Sequence, residues 1–303
     1  MPVTQLFVPA SKPDMIAKAA ASDADAVCID LEDSVTPADK PAARRQAVTA
    51  LAELDFGRRT RMVRINAVET PFAYRDLIDV VEASGSRIEA IMVPKVASAR
   101  DVEFVDTLLT QIEKAVQLAR PIRIDAQIES AAGFLNIREI ARASPRLATL
   151  IFGQGDYSAS MRMPASSIGE LDANDDAYPG HRYHAVMHAI VAAARANGLQ
   201  CLDGPFAAYQ DAAGLERACR VARAIGFDGK QCIHPRQLAT VAAAFAPSPD
   251  EIAAAEALVQ VYDAAIATGR GAAVHDGRMI DAASIRMARA TLARRRQQPQ
   301  EEP

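Results

Sequence analysis

The sequence predicts an α/β fold, a closed (β/α)8 barrel of parallel strands with an extra C-terminal helix and a lid segment. Short runs rich in Val, Ile and Leu alternate with longer segments whose apolar residues recur every three or four positions, the pattern of strand, helix, strand, helix. Eight such runs follow one another without a break in composition, which favours closure over an open doubly wound sheet. The 303 residues are 50% hydrophobic and 24% charged, with 15 Gly and 17 Pro scattered along the chain. That length and balance suit one large barrel and exclude disordered, collagenous and coiled-coil chains.

Taken in order, the strands are expected at residues 5–9, 26–31, 60–66, 90–95, 122–129, 149–153, 200–203 and 229–234. The first is built on Leu6, Phe7 and Val8, the second on Val27, Ile29 and Leu31, and the third on Met62, Val63 and Ile65. Between them lie helical stripes: Val102, Val105, Leu109, Ile112 and Val116 after the fourth strand, and Leu215, Ala218, Val221 and Ile225 after the seventh. Leu238, Val241 and Phe245 continue the rhythm after the eighth. The catalytic barrel is therefore assigned to residues 1–247 and the C-terminal helix and lid extension to 248–303. A long polar connection over residues 161–182, with Pro164, Gly169, Pro179 and Gly180, falls where a barrel builds its site. The tail, with Gly269-Arg270-Gly271, the stretch from Val274 to Asp281 and a helix bearing Arg286, Arg289, Arg294, Arg295 and Arg296, reads either as a tethered lid or as a helix packed on the outside.

The net charge of −4 gives no field for nonspecific attraction to nucleic acid. Cys28, Cys201, Cys219 and Cys232 lie far apart, without metal or disulfide spacing, and read as core residues of a reducing compartment. With no membrane-length apolar segment and no basic-then-apolar start, the expected location is the cytoplasm.

The fifth strand carries the most information. Ile122, Ile124, Ala126 and Ile128 alternate with Arg123, Asp125, Gln127 and Glu129, so the apolar set faces the helices and the polar set faces the barrel interior. Glu129 is then the last inward residue, and Arg64 with Asn66 ends the third strand in the same way. The rim also collects Asp30, Glu32, Lys95, Asp156, Asp203, Lys230 and His234. So many carboxylates at one mouth require cations. Arg64 and Lys95 supply part, and an oxygen-only donor set points to magnesium, or manganese in its place, on Glu129 and Asp156; the other reading is a network of ion pairs alone. Asp30 and Glu32 either organise metal-bound water or brace Arg64 and Lys95. Ser11 and Lys12, with Pro13 behind them, mark either a phosphate-binding helix start or a helix start alone. His181, His184 and His188 lack matching acids and read as packing rather than ligands.

At these motifs the chain resembles the family of citrate lyase beta subunits and malyl-CoA lyases. The resemblance is carried by Leu6-Phe7-Val8-Pro9-Ala10-Ser11-Lys12-Pro13, Asp30-Leu31-Glu32-Asp33-Ser34-Val35, Val63-Arg64-Ile65-Asn66, Val93-Pro94-Lys95-Val96, Ile128-Glu129-Ser130-Ala131 and Phe152-Gly153-Gln154-Gly155-Asp156. Lys230-Gln231-Cys232-Ile233-His234-Pro235 and Asp276-Gly277-Arg278-Met279-Ile280-Asp281 complete it. The stretch from Asp156 to Met161, with Tyr178-Pro179-Gly180-His181, resembles the malyl-CoA and β-methylmalyl-CoA lyase branch. The resemblance implies a TIM barrel and a Mg2+-dependent carbon–carbon lyase for a 3-hydroxyacyl-CoA such as malyl-, β-methylmalyl- or citramalyl-CoA, yielding acetyl-CoA or propionyl-CoA and a 2-oxoacid. It implies Glu129 and Asp156 as metal ligands, Arg64 on the substrate oxygens, Ser11 and Lys12 near coenzyme A, and Asp281 acting in a neighbouring subunit. Glu32 joins the catalytic group and Lys95 the coenzyme-binding group. It further implies a homotrimer or hexamer sharing its lid. The alternatives are a malyl-CoA thioesterase, a citrate lyase beta subunit and a noncatalytic scaffold.

Overall fold

A computed structural model describes residues 2–165, 167–178, 181–269 and 271–295. Pro179, Gly180, Arg270 and Arg296 lie outside these. The chain divides into two compact units, residues 1–244 and 245–303.

The first unit is a closed barrel in the order β1 through β8. The strands are β1 (Thr4–Pro9), β2 (Ala26–Asp30), β3 (Thr60–Arg64), β4 (Ala90–Val93), β5 (Arg123–Ile128), β6 (Leu147–Phe152), β7 (Gln200–Asp203) and β8 (Gly229–Cys232). All neighbours run parallel, and β8 closes on β1 with Gln231 opposite Gln5. Closure is tight at Gly229, where an added Cβ would lie 2.1 Å from the Val3 carbonyl oxygen.

Several strands stop short of the expected ends: Leu31, Asn66, Lys95, Glu129, Gly153 and His234 all lie beyond them. The reason is local. Pro94 has no N–H to continue a ladder, and Lys95 takes a left-handed φ of 51°. Of these residues, Glu129 and Gly153 line the cavity at the barrel mouth.

Alternation places Ala26, Cys28, Met62, Ala90, Met92, Ile151 and Leu202 in one interior cluster, with Phe7 packed against it. Gln231 Nε2 donates to Gln5 Oε1 at 3.2 Å in the same interior. The four cysteines are free and buried. Two predicted stripes are corrected at one position each, because Val116 and Val221 are exposed. In the helix Ala212–Ile225 the buried face is Gly214, Leu215, Cys219 and Ala222, small residues that shift its phase. Leu238, Val241 and Phe245 are buried as expected. The long connection contains a short helix, Ala173–Ala177, capped by Asp172.

In the second unit the helices Pro249–Ala267 and Ala282–Arg295 pack together with a hairpin, β9 (Ala273–His275) and β10 (Arg278–Ile280). Asp276 and Gly277 form its two-residue turn, both at positive φ. Arg295 bonds Glu256 and Arg289 lies 3.5 Å from Asp263, so two of the tail arginines face acids on the neighbouring helix. No helix among the described residues is long and apolar enough to cross a membrane.

Candidate active site

The C-terminal rim of the barrel surrounds a cavity of about 350 Å³. Phe7, Asp30, Arg64, Gln127, Glu129 and Asp156 reach it from five different strands or the loops beyond them. Arg64 is held in a fixed pose. Its Nε and Nη2 donate to Asp30 Oδ1 and Oδ2 at 2.6 and 2.7 Å, and Nη1 stands 3.0 Å from Glu32 Oε2. The Phe7 ring lies under the guanidinium, 5.0 Å from centroid to Cζ. Of five guanidinium N–H bonds, two donate to Asp30, while Nη1 faces Glu32 Oε2 as an ion pair without a hydrogen bond, so N–H bonds remain for a ligand. Lys95 Nζ donates to Glu32 Oε1 at 2.6 Å and Asp33 Oδ2 at 2.9 Å, and lies 4.0 Å from Asp156 Oδ1. Asp30 and Glu32 therefore brace the two cations.

Glu129 is arranged differently. Its Oε1 accepts from the Lys95 backbone N–H and its Oε2 from Gln127 Nε2, both at 2.6 Å. Both donors are neutral. Gly153 makes room for the carboxylate, since a Cβ there would lie 2.3 Å from Glu129 Oε2. Asp156 stands in the first turn of the helix Gln154–Ser160, half-exposed beside the same cavity.

The electrostatics separate these acids. Burial opposes ionisation of Asp30, but the hydrogen bonds and charge of Arg64 hold it below the usual carboxylate range. Burial raises Glu32 despite Arg64 and Lys95. Glu129 is pushed up to about 8, first by burial and then by the charges of Glu32 and Asp156. Arg64 and Lys95 are desolvated too, yet their carboxylate partners hold both above their ordinary values. A buried carboxylate with neutral donors, facing a second acid, is the condition a divalent cation relieves. Among the described residues no group of three or more His, Cys, Asp and Glu forms a metal cage. Two carboxylates with open positions fit magnesium, which keeps several waters, and do not fit a closed zinc site.

Other expected rim residues lie elsewhere. Asp203 and Lys230 form a buried ion pair with side chains 6% and 1% exposed. Strand parity explains the correction: Leu202 points inward, so Asp203 points toward the helices, and Gln231 and Lys230 divide likewise. His234 stacks on Tyr209 at 4.6 Å, its Nδ1 accepting the Arg236 N–H. Asn66 bonds Asp76 and the Leu31 carbonyl rather than facing the mouth. Pro13 opens the helix Pro13–Ala20, but its cap position is Lys12, without a side-chain cap, and Ser11 precedes it. Asp281, in the second unit, caps the helix Ala282–Arg295, its Oδ1 accepting from the N–H groups of Ala283 and Ser284. His184 and His188 lie side by side on one exposed helix face, with ring centroids 4.4 Å apart and the planes tilted by 34°.

Some residues were not foreseen. Buried Lys40 donates to the carbonyls of Leu31 and Glu32 at 2.9 and 3.0 Å, fixing the turn that presents Asp30 and Glu32. Asp76, fully buried, holds Asn66 from the next helix and is itself held by Arg44. Nothing in their spacing marks them. The clearance at Gly153 follows Glu129 and was equally invisible.

Residues 4–235 match the family model described as HpcH/HpaI aldolase/citrate lyase. The chain is 42% identical over 290 residues to an L-malyl-CoA/beta-methylmalyl-CoA lyase of Cereibacter sphaeroides, covering 94% of this chain and 91% of that one. It is 37% identical to a (3S)-malyl-CoA thioesterase of the same species, covering 95% and 93%. A crystal structure of CitE from Mycobacterium tuberculosis with magnesium, acetoacetate and coenzyme A superposes with a TM-score of 0.77 at 33% identity, covering 97% and 98%.

Proposed function

Because the chain belongs to the HpcH/HpaI aldolase/citrate lyase family, we propose that it is a Mg2+-dependent carbon–carbon lyase for a 3-hydroxyacyl-CoA. Malyl-CoA and β-methylmalyl-CoA are the substrates assigned, giving glyoxylate with acetyl-CoA or propionyl-CoA; citramalyl-CoA would give pyruvate. The observation that carries this is Glu129, a buried acid gripped by two neutral donors beside Asp156 and the braced Arg64.

Cleavage removes the proton of the 3-hydroxyl, breaks the bond to the carbon alpha to the thioester and leaves a carbonyl and a thioester enolate. Glu129 and Asp156 would hold the cation. Bound Mg2+, or Mn2+ in its place, supplies Lewis acidity toward the hydroxyl and the carbonyl that replaces it. Arg64 presents its remaining N–H bonds to substrate oxygens, and Asp30 and Glu32 keep that fork from turning as charge moves. Lys95 places a second positive charge at the mouth, and Ser11 and Lys12 take the coenzyme phosphates. Asp281, from a neighbouring subunit of a homotrimer or hexamer, shuttles the proton: in cleavage it takes the proton of the 3-hydroxyl and delivers it to the enolate carbon, and in condensation both transfers reverse. The buried free thiols suit the reducing cytoplasm.

A second reading, hydrolysis of the malyl thioester, is favoured by the 37% identical thioesterase. Products separate the two. Incubation with malyl-, β-methylmalyl- and citramalyl-CoA, with Mg2+ or with EDTA, should give acyl-CoA and 2-oxoacid only with Mg2+. Free CoA with malate would overturn the lyase reading in favour of hydrolysis.

A further inference from the structure

We infer that Gln127 is a positioning residue that fixes the Glu129 carboxylate for its divalent cation, an inference that rests on the reading of Glu129 as a metal ligand. Gln127 is the inward residue of β5 just below Glu129 and is only 4% exposed. Its Nε2 donates to Glu129 Oε2 at 2.6 Å, while the Lys95 N–H takes Oε1 at the same distance. One donor on each oxygen defines the carboxylate plane. Both are neutral, so the negative charge is oriented without being cancelled, and lone pairs remain on each oxygen. A Lys or Arg at residue 127 would orient the group equally well but compete with the cation.

The amide NH2 faces Glu129 and Gln127 Oε1 turns away, the pose that suits a carboxylate bound to a cation, which accepts hydrogen bonds and donates none. That oxygen is buried, has no partner and belongs to a side chain lining the cavity. Gly153 backs the pair, since a Cβ there would lie 2.8 Å from Gln127 Nε2 as well as against Glu129. The carboxylate and amide are thus confined together.

Calorimetric titration of the full chain with Mn2+, without substrate, tests the role in wild type, Gln127→Met and Gln127→Ala. Loss of an outer partner weakens metal affinity roughly 10- to 100-fold. That loss is expected in both variants, with the melting temperature of the metal-free protein held within a few degrees. The Mg2+ concentration for half-maximal activity should rise by a similar factor. Wild-type Mn2+ affinity in either folded variant overturns the inference and leaves the metal site standing. Failure of the wild type to bind Mn2+ at all overturns the metal site and the inference with it.

Discussion

Asp125→Asn should stabilise the barrel, and increasingly so as pH rises. Asp125 points into the interior two positions below Gln127 and is 5% exposed. Burial pushes its titration from 3.8 up to about 6, against a hydrogen bond with Thr149 and the charge of Arg123. The folded state therefore holds a proton that the unfolded chain releases near 3.8, and stability contributed by the neutral acid is lost as pH rises through that window. The displacement corresponds to about 3 kcal/mol at pH 7.5, roughly half of it already present at pH 5. For a barrel of this size that is about 6 °C in Tm. Asn is neutral at every pH and nearly isosteric, so the difference between wild type and variant isolates the carboxylate. Urea unfolding of both proteins from pH 5 to 8, in EDTA, measures it. A difference that stays flat across this range would refute the reasoning, whatever its size.

Gly153→Ala should abolish metal-dependent turnover, because its methyl would stand 2.3 Å from Glu129 Oε2; activity within tenfold of wild type would contradict the packing at that position. Asp281→Asn should keep helix stability, since Asn caps as well as Asp, while cleavage falls; circular dichroism and a product assay separate cap from acid. Lys230→Met should cost about 3 to 5 kcal/mol by leaving Asp203 buried without its cation, measured by denaturant unfolding, with substrate KM unchanged in whatever folds.

The barrel was legible because its strands are short apolar runs and its helices carry stripes. The inward face of β5 was legible because Asp125, Gln127 and Glu129 alternate strictly with Ile124, Ala126 and Ile128. Arg64 follows from the same parity, sharing its face with Met62. Asp203 was misplaced because β7 is only four residues long and offers too little alternation to fix its phase. Val221 was misassigned because hydropathy weighs a Val above the Ala222 and Cys219 that the helix buries. The Lys40 and Asp76 supports join residues from separate helices to a strand end, a relation of three-dimensional space that no periodicity encodes. The tail hairpin did carry a local signal, Asp276-Gly277 between Val274-His275 and Arg278-Met279, which marks a two-residue turn.

The most direct test of the metal-dependent site is a crystal soaked in Mn2+ and measured at the manganese absorption edge. One anomalous peak is expected at the barrel mouth, bonded to a carboxylate oxygen of Glu129 and one of Asp156, with Arg64 still clamped on Asp30. A mouth without a peak, its two acids turned apart, would contradict it.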